Sequence, residues 1–85
     1  MSNYSTIEER KNVNGTIYSL FKEKTLSDNG ICYVYGISIE NKYEKVIINS
    51  ITTKYDLIYD LFLKIFNSNT YPYNLKEIIE DFVIL

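Results

Sequence analysis

The densest chemistry-bearing group in this sequence is the adjacent pair Glu80-Asp81 with Glu77 about one helical turn back. Carboxylates at that spacing could hold a hard cation, or set a general acid beside a general base. A solvated helix face, with Glu77 serving the first turn, explains the same residues. Cys32 is the sole thiol, and the sequence contains no histidine to take its proton. Its neighbours Ile31, Tyr33 and Val34 are strand formers, so a structural thiol is the simpler reading. Gly15, Gly30 and Gly36 match no phosphate-cradling pattern, and no Gly-Lys-Ser/Thr follows any of them. The expectation is a chain with no catalytic residue, no metal site and no cofactor, and therefore no enzyme.

The tyrosines offer a different chemistry. Tyr18, Tyr33 and Tyr35 fall on one face of neighbouring strands, where aromatic rings can stack on a planar ligand or on single-stranded bases. That mode normally comes with a positive groove. Here Lys22, Lys24, Lys42 and Lys45 are offset by Glu23, Glu40 and Glu44, and Tyr33 and Tyr35 share their face with three isoleucines, as core residues would. A second group lies in Thr53–Asn67, TKYDLIYDLFLKIFN, the longest apolar-periodic run. Leu57, Ile58, Leu61, Phe62 and Ile65 recur at helical spacing and predict one buried face. Tyr55, Tyr59, Leu63 and Phe66 form a second apolar stripe, which leaves only Asp56, Asp60, Lys64 and Asn67 polar. One small core cannot easily bury both stripes. The second is either sandwiched or offered to a partner, with its aromatics as anchors and Asp56 and Asp60 at the rim.

The elements that must position these residues follow from turns and periodicity. Asn14-Gly15 is a strong hairpin signal. A strand after it, Thr16–Lys24, is clear; a strand before it rests on Ile7 and Val13 alone, so residues 1–12 read as a polar arm or an edge strand. Ser27-Asp28-Asn29-Gly30 makes a loop. Ile31–Glu40 alternates large apolar residues (Ile31, Tyr33, Tyr35, Ile37, Ile39) with small ones, so one face should meet the helices and the other be thinly covered. Gly36 inside it implies a bulge or the close approach of another backbone. Lys45–Ile51 returns as the next strand. Thr53 with Asp56 marks the start of the long helix. Pro72 excludes helix at Tyr71, and Asn74 with Glu77 marks the cap of a second helix built on Leu75, Ile78, Ile79 and Phe82. The apolar end, Phe82–Leu85, should be tied into the core. The predicted fold is α+β: an antiparallel meander of three strands, or four if the N-terminal segment pairs, followed by two helices on one face, with residues 13–85 as a single domain.

Composition agrees. Eighty-five residues with 46% hydrophobic and 24% charged content describe one globular domain. A chain this short buries only about 60% of its unfolded surface, so a shared interface would help it. Eleven acids against nine bases, interleaved, give a net charge of −2 with no basic block for nucleic-acid phosphates. Nine tyrosines beside many Asn, Ile and Lys are what an AT-rich coding genome produces. The N-terminus has no apolar signal region and no run is long enough to span a bilayer, so a cytoplasmic protein is expected.

Tyr35-Gly36-Ile37, the strand ending Asn49-Ser50-Ile51, and the closing segment Pro72-x-x-Leu75-x-x-Ile78-Ile79-Glu80-Asp81-Phe82 together resemble a family of small uncharacterised proteins from Gram-positive anaerobes, a domain of unknown function. The resemblance covers residues 31–83. It implies a compact α+β fold and carries no activity. In that family a histidine often precedes the leucine of the closing segment; Asn74 stands there in this chain, so any role of that histidine is absent or replaced by capping.

The expected function is a small non-enzymatic protein–protein interaction module, a regulator, adaptor or inhibitor that occupies a partner surface through Tyr55, Tyr59, Leu63 and Phe66, with homodimerisation open to the same face. A small acidic chain of this kind suits a phage- or mobile-element-encoded inhibitor of a host enzyme. The alternative is a small-ligand or single-stranded nucleic-acid module using Tyr18, Tyr33 and Tyr35.

Overall fold

The structure, a computed structural model, describes residues 5–84, with side chains for all of these except Ser5, Ser27, Val83 and Ile84. Four antiparallel strands, β1 (Ser5–Val13), β2 (Thr16–Ser27), β3 (Gly30–Glu40) and β4 (Lys45–Thr52), form a meander in chain order. Helix α1 (Tyr55–Asn67) follows, then a 3₁₀ turn (Pro72–Asn74) that runs directly into α2 (Leu75–Ile84). Both helices contribute to one core on one face of the sheet. The fold is the expected α+β meander, with four strands.

From Ser5 onward the N-terminal segment is therefore the edge strand of the sheet, one of the two readings the sequence allows. Asn14 (φ 51°) and Gly15 (φ 84°) both take the left-handed conformation of a type I′ turn, which fixes the β1–β2 register. Pairing runs from Val13 opposite Thr16 to Ser5 opposite Glu23, with a bulge between Ile7 and Glu9. β1 has little apolar alternation. Besides its backbone ladder it uses long side chains: the Glu8 carboxylate lies 3.6 Å from the Lys22 ammonium, and the Lys11 ammonium lies 5.2 Å from the centre of the Phe66 ring. Residues 1–4 of the expected arm lie outside the described residues.

The core is Tyr18 and Leu20 of β2, Ile37 and Ile39 of β3, Ile58, Leu61, Phe62 and Ile65 of α1, and Leu75 and Ile79 of α2. Each such side chain contributes roughly 1.5–3 kcal/mol on burial. Leu57, expected on the buried face of α1, is exposed on its flank. Thr53 does not start the helix: the N-cap is Lys54, whose side chain makes no cap, and the Thr52 hydroxyl accepts the Lys54 N–H at 3.1 Å. Asn74 stands directly ahead of α2 as the last residue of the 3₁₀ turn, its N–H donating to the Tyr71 carbonyl at 3.0 Å. Tyr71 is extended (φ −83°, ψ 155°), as a residue before proline must be. Of the apolar end, Phe82 packs on the core; the side chains of Val83 and Ile84, and Leu85, lie outside the described residues.

β2 and β3 are longer than their neighbours. Among the described residues β1 reaches β2 as far as Glu23, and β4 reaches β3 as far as Tyr35, whereas the β2–β3 hairpin continues to Ser27 and Gly30. Among the described residues the hairpin projects beyond the flanking strands, in a molecule whose extents are 41 × 30 × 18 Å.

Candidate partner-binding surface

The two tyrosine groups that the sequence presents as alternatives meet on one surface. Tyr35 of β3 and Tyr55 of α1 pack edge to face with ring centres 5.4 Å apart, and Tyr55 stacks on Tyr59 at 5.8 Å. Tyr33 continues the row outward along the projecting hairpin, 43% exposed, with the Lys22 ammonium 4.7 Å from its ring centre. Beyond it the cross-strand pair Leu26 and Ile31, 80% and 57% exposed, completes the tip. Where the hairpin leaves the flanking strands, Thr6, Lys22, Lys24 and Tyr33 line a recess of about 390 Å³.

The second apolar stripe of α1 is partly covered. Tyr59 and Phe66 pack on the core, Phe66 meets Tyr18 edge to face at 5.4 Å, and Lys11 of β1 lies over its other side. Of the expected anchors, Tyr55 is the most open at 38%; Leu63 is half-buried beside a groove that Asp60, Lys64 and Ile78 also line, and Asp56 and Asp60 are exposed. Partial withdrawal from water, followed by the charge of Glu9, the Tyr59 phenol, the charge of Glu8 and the Tyr35 phenol, raises the Tyr55 pKa above the usual tyrosine value. Its hydroxyl is a neutral donor at physiological pH.

Tyr18 leaves the ligand platform altogether. It is 3% exposed and its hydroxyl donates to the Thr70 carbonyl at 3.1 Å, so it joins the sheet to the α1–α2 connection. Burial, then Tyr71, raises its pKa. Tyr18→Phe is expected to lose about 0.5–1.5 kcal/mol, the net value of one hydrogen bond, read from urea unfolding followed by circular dichroism. Stability equal to wild type would mean that water serves that carbonyl instead.

Sequence reasoning leaves Leu26 out and counts Lys22 and Lys24 only as charges offset by glutamates, yet β2 carries the signal. On its helix-facing side Tyr18 and Leu20 give way to Lys22 and Lys24, and that change marks where the helix layer stops covering the sheet. Glu77, Glu80 and Asp81 are exposed on α2, and no three His, Cys, Asp or Glu side chains converge on a metal-sized site among the described residues. Cys32 is a half-buried free thiol on β3.

The tyrosine row and the fold carrying it are built from the whole chain, and so is the match to a family model, the Family of unknown function (DUF6514), over residues 1–85. The chain belongs to that family. The match extends the resemblance seen over residues 31–83 to the N-terminal strands, as the sheet requires, since β1 and β2 form half of it. No curated protein and no solved structure matches the chain. No helix among the described residues is long and apolar enough to cross a membrane.

Proposed function

We propose that this protein is a non-enzymatic interaction module of the cytoplasm, a regulator, adaptor or inhibitor that engages another protein through the corner between α1 and the projecting hairpin. The carrying observation is the continuous row Tyr59–Tyr55–Tyr35–Tyr33, extended by Ile31 and Leu26 past the edge of the helix layer. Aromatic side chains with a buried side and an open side are the residue type that dominates binding energy at protein interfaces. They supply area at small entropic cost because their rings are already packed. Lys22 is paired with Glu8, but Lys24 has no ion pair among the described residues and places positive charge beside the outer end of the aromatic row, which favours a partner with an acidic group next to an apolar centre.

A photoreactive benzoylphenylalanine tests this reading when it replaces Tyr33 in one variant and Tyr43, exposed in the β3–β4 loop, in another. In cells of the source organism, a discrete protein adduct is expected from position 33 and none from position 43. That adduct should fall at least tenfold when Tyr55→Ala and Leu26→Ser are added to a chain that retains its circular dichroism spectrum. Equal labelling at both positions, or no adduct at position 33, would exclude this surface.

A further inference from the structure

Among the described residues, no strand lies against Ile31–Val34 on the side away from β2. Ser27 and Gly30 flank a two-residue turn and so exchange hydrogen bonds; antiparallel alternation then points the N–H and C=O groups of Ile31 and Tyr33 outward. The segment Ile31-Cys32-Tyr33-Val34 has no charge and no proline, and its Ile, Tyr and Val favour strands. The outer edges of the sheet are different. β1 bulges at Glu8 and carries the charged run Glu8-Glu9-Arg10-Lys11, and the β3–β4 pairing is broken between Ile48 and Thr52. Bulges and charges blunt an edge against pairing. The hairpin edge has neither.

We propose that this edge pairs with the same edge of a second copy, antiparallel about a two-fold axis, with Cys32 opposite Cys32. The unpaired groups select the register. Placing Ile31 of each copy opposite Tyr33 of the other joins outward-pointing residues only to one another. Centring the axis on Tyr33 would set Ile31 against Tyr35, which already pairs with Thr52. Centring it on Ile31 would set Tyr33 against Asn29 in the turn. In the selected register the two Cys32 residues form a non-hydrogen-bonded pair, with Cα atoms about 4.5 Å apart. On the helix side, Tyr33 covers Ile31 of the second copy, and the tyrosine rows of the two copies become one surface.

Charge supports the same occupant. With Gly30 of the second copy opposite Val34, the turn Asp28-Asn29 arrives where β4 ends at Thr52. There it meets Lys54, which is exposed and has no ion pair among the described residues. The two-fold axis makes two such Asp28–Lys54 pairs. The contact is smaller than the roughly 800 Å² per partner of a standard interface, so the two copies exchange rather than lock.

The test combines mass by light scattering over a concentration series with diamide, which accepts the two electrons and two protons released when two thiols join. A concentration-dependent dimer is expected, which diamide traps through Cys32. Ile31→Pro removes an outward N–H and leaves the β2 ladder intact, so it should give a folded monomer with at least tenfold less trapped dimer. Lys54→Glu, remote from the core, should weaken the dimer roughly tenfold, a surface-charge effect doubled by symmetry, and Asp28→Lys added to it should restore the dimer. Val34→Cys in a Cys32→Ala chain should trap poorly, since position 34 faces Gly30. A monomer at every concentration overturns the proposal. So does trapping that Lys54→Glu leaves unchanged, or that is as efficient through position 34 as through Cys32.

Discussion

Phe62→Ala is expected to cost about 3–4 kcal/mol, enough to bring this chain close to unfolding. Phe62 is fully buried in the middle of α1, among the core residues of both helices and both central strands. Truncating such a phenylalanine costs roughly 3–5 kcal/mol, the lost transfer energy plus the cavity left behind. Alanine returns about 0.5 kcal/mol through its better helix propensity. At roughly 0.05–0.15 kcal/mol per residue, the 85 residues have a total stability of only about 4–13 kcal/mol. The measurement is urea unfolding followed at 222 nm, beside Leu63→Ala at a half-buried position of the same helix, for which about 1 kcal/mol is expected. A Phe62→Ala loss no larger than that of Leu63→Ala would mean that α1 does not hold the core.

That contrast also explains what could be read from the sequence. The α1 periodicity located Ile58, Leu61, Phe62 and Ile65 because a buried face repeats at 3.6 residues. It misplaced Leu57 because apolar character alone does not say how wide the covered sector is. The sequence leaves the second stripe either sandwiched or offered to a partner because β1 is weakly signalled. Part of its cover comes from that strand, where the Lys11 ammonium lies over the Phe66 ring. Strands held by backbone pairing, a bulge and long charged side chains leave no period-two hydrophobic record. The hairpin tip shows the opposite case. Ile31 and Tyr33 alternate with Cys32 and Val34 as core residues do, yet they stand beyond the helices, and no pattern within β3 gives the length of the layer above it. The tyrosine row itself was present as two separate sets, Tyr33 and Tyr35 on a strand and Tyr55 and Tyr59 on a helix. Their meeting at 5.4 Å depends on how α1 crosses the sheet, which is tertiary information.

Gly36 connects the core to the free edge, and its substitution is the second large effect expected. A Cβ built on Gly36 would lie 2.6 Å from the Ile48 carbonyl oxygen, and 2.6 and 2.8 Å from the Phe21 ring atoms Cζ and Cε2. Phe21 is the cross-strand neighbour of Gly36, and its ring lies over the hydrogen of the glycine, the arrangement by which an aromatic side chain compensates for a strand glycine. The ring could swing towards the open face of the sheet. The Ile48 carbonyl could not, because Ile48 pairs with Ile37 just before the β3–β4 register breaks and Ser50 takes φ 54°. Gly36→Ala is therefore expected to cost about 1–3 kcal/mol, the usual range for overpacking. Adding Phe21→Leu should recover only part of the loss, because the carbonyl contact remains. Full recovery would place the whole strain in the ring and none in the backbone. β4 crosses the break next to Gly36 and pairs once more, Thr52 with Tyr35, before the chain leaves for α1, so Gly36 lies two residues from the start of the free edge Ile31–Val34. If the edge pairs as proposed, Gly36→Ala in a chain that stays folded should shift β4 and lower the diamide-trapped dimer, whereas Leu63→Ala should leave it unchanged. A folded Gly36→Ala variant that traps as much dimer as the wild type would uncouple the bulge from the edge.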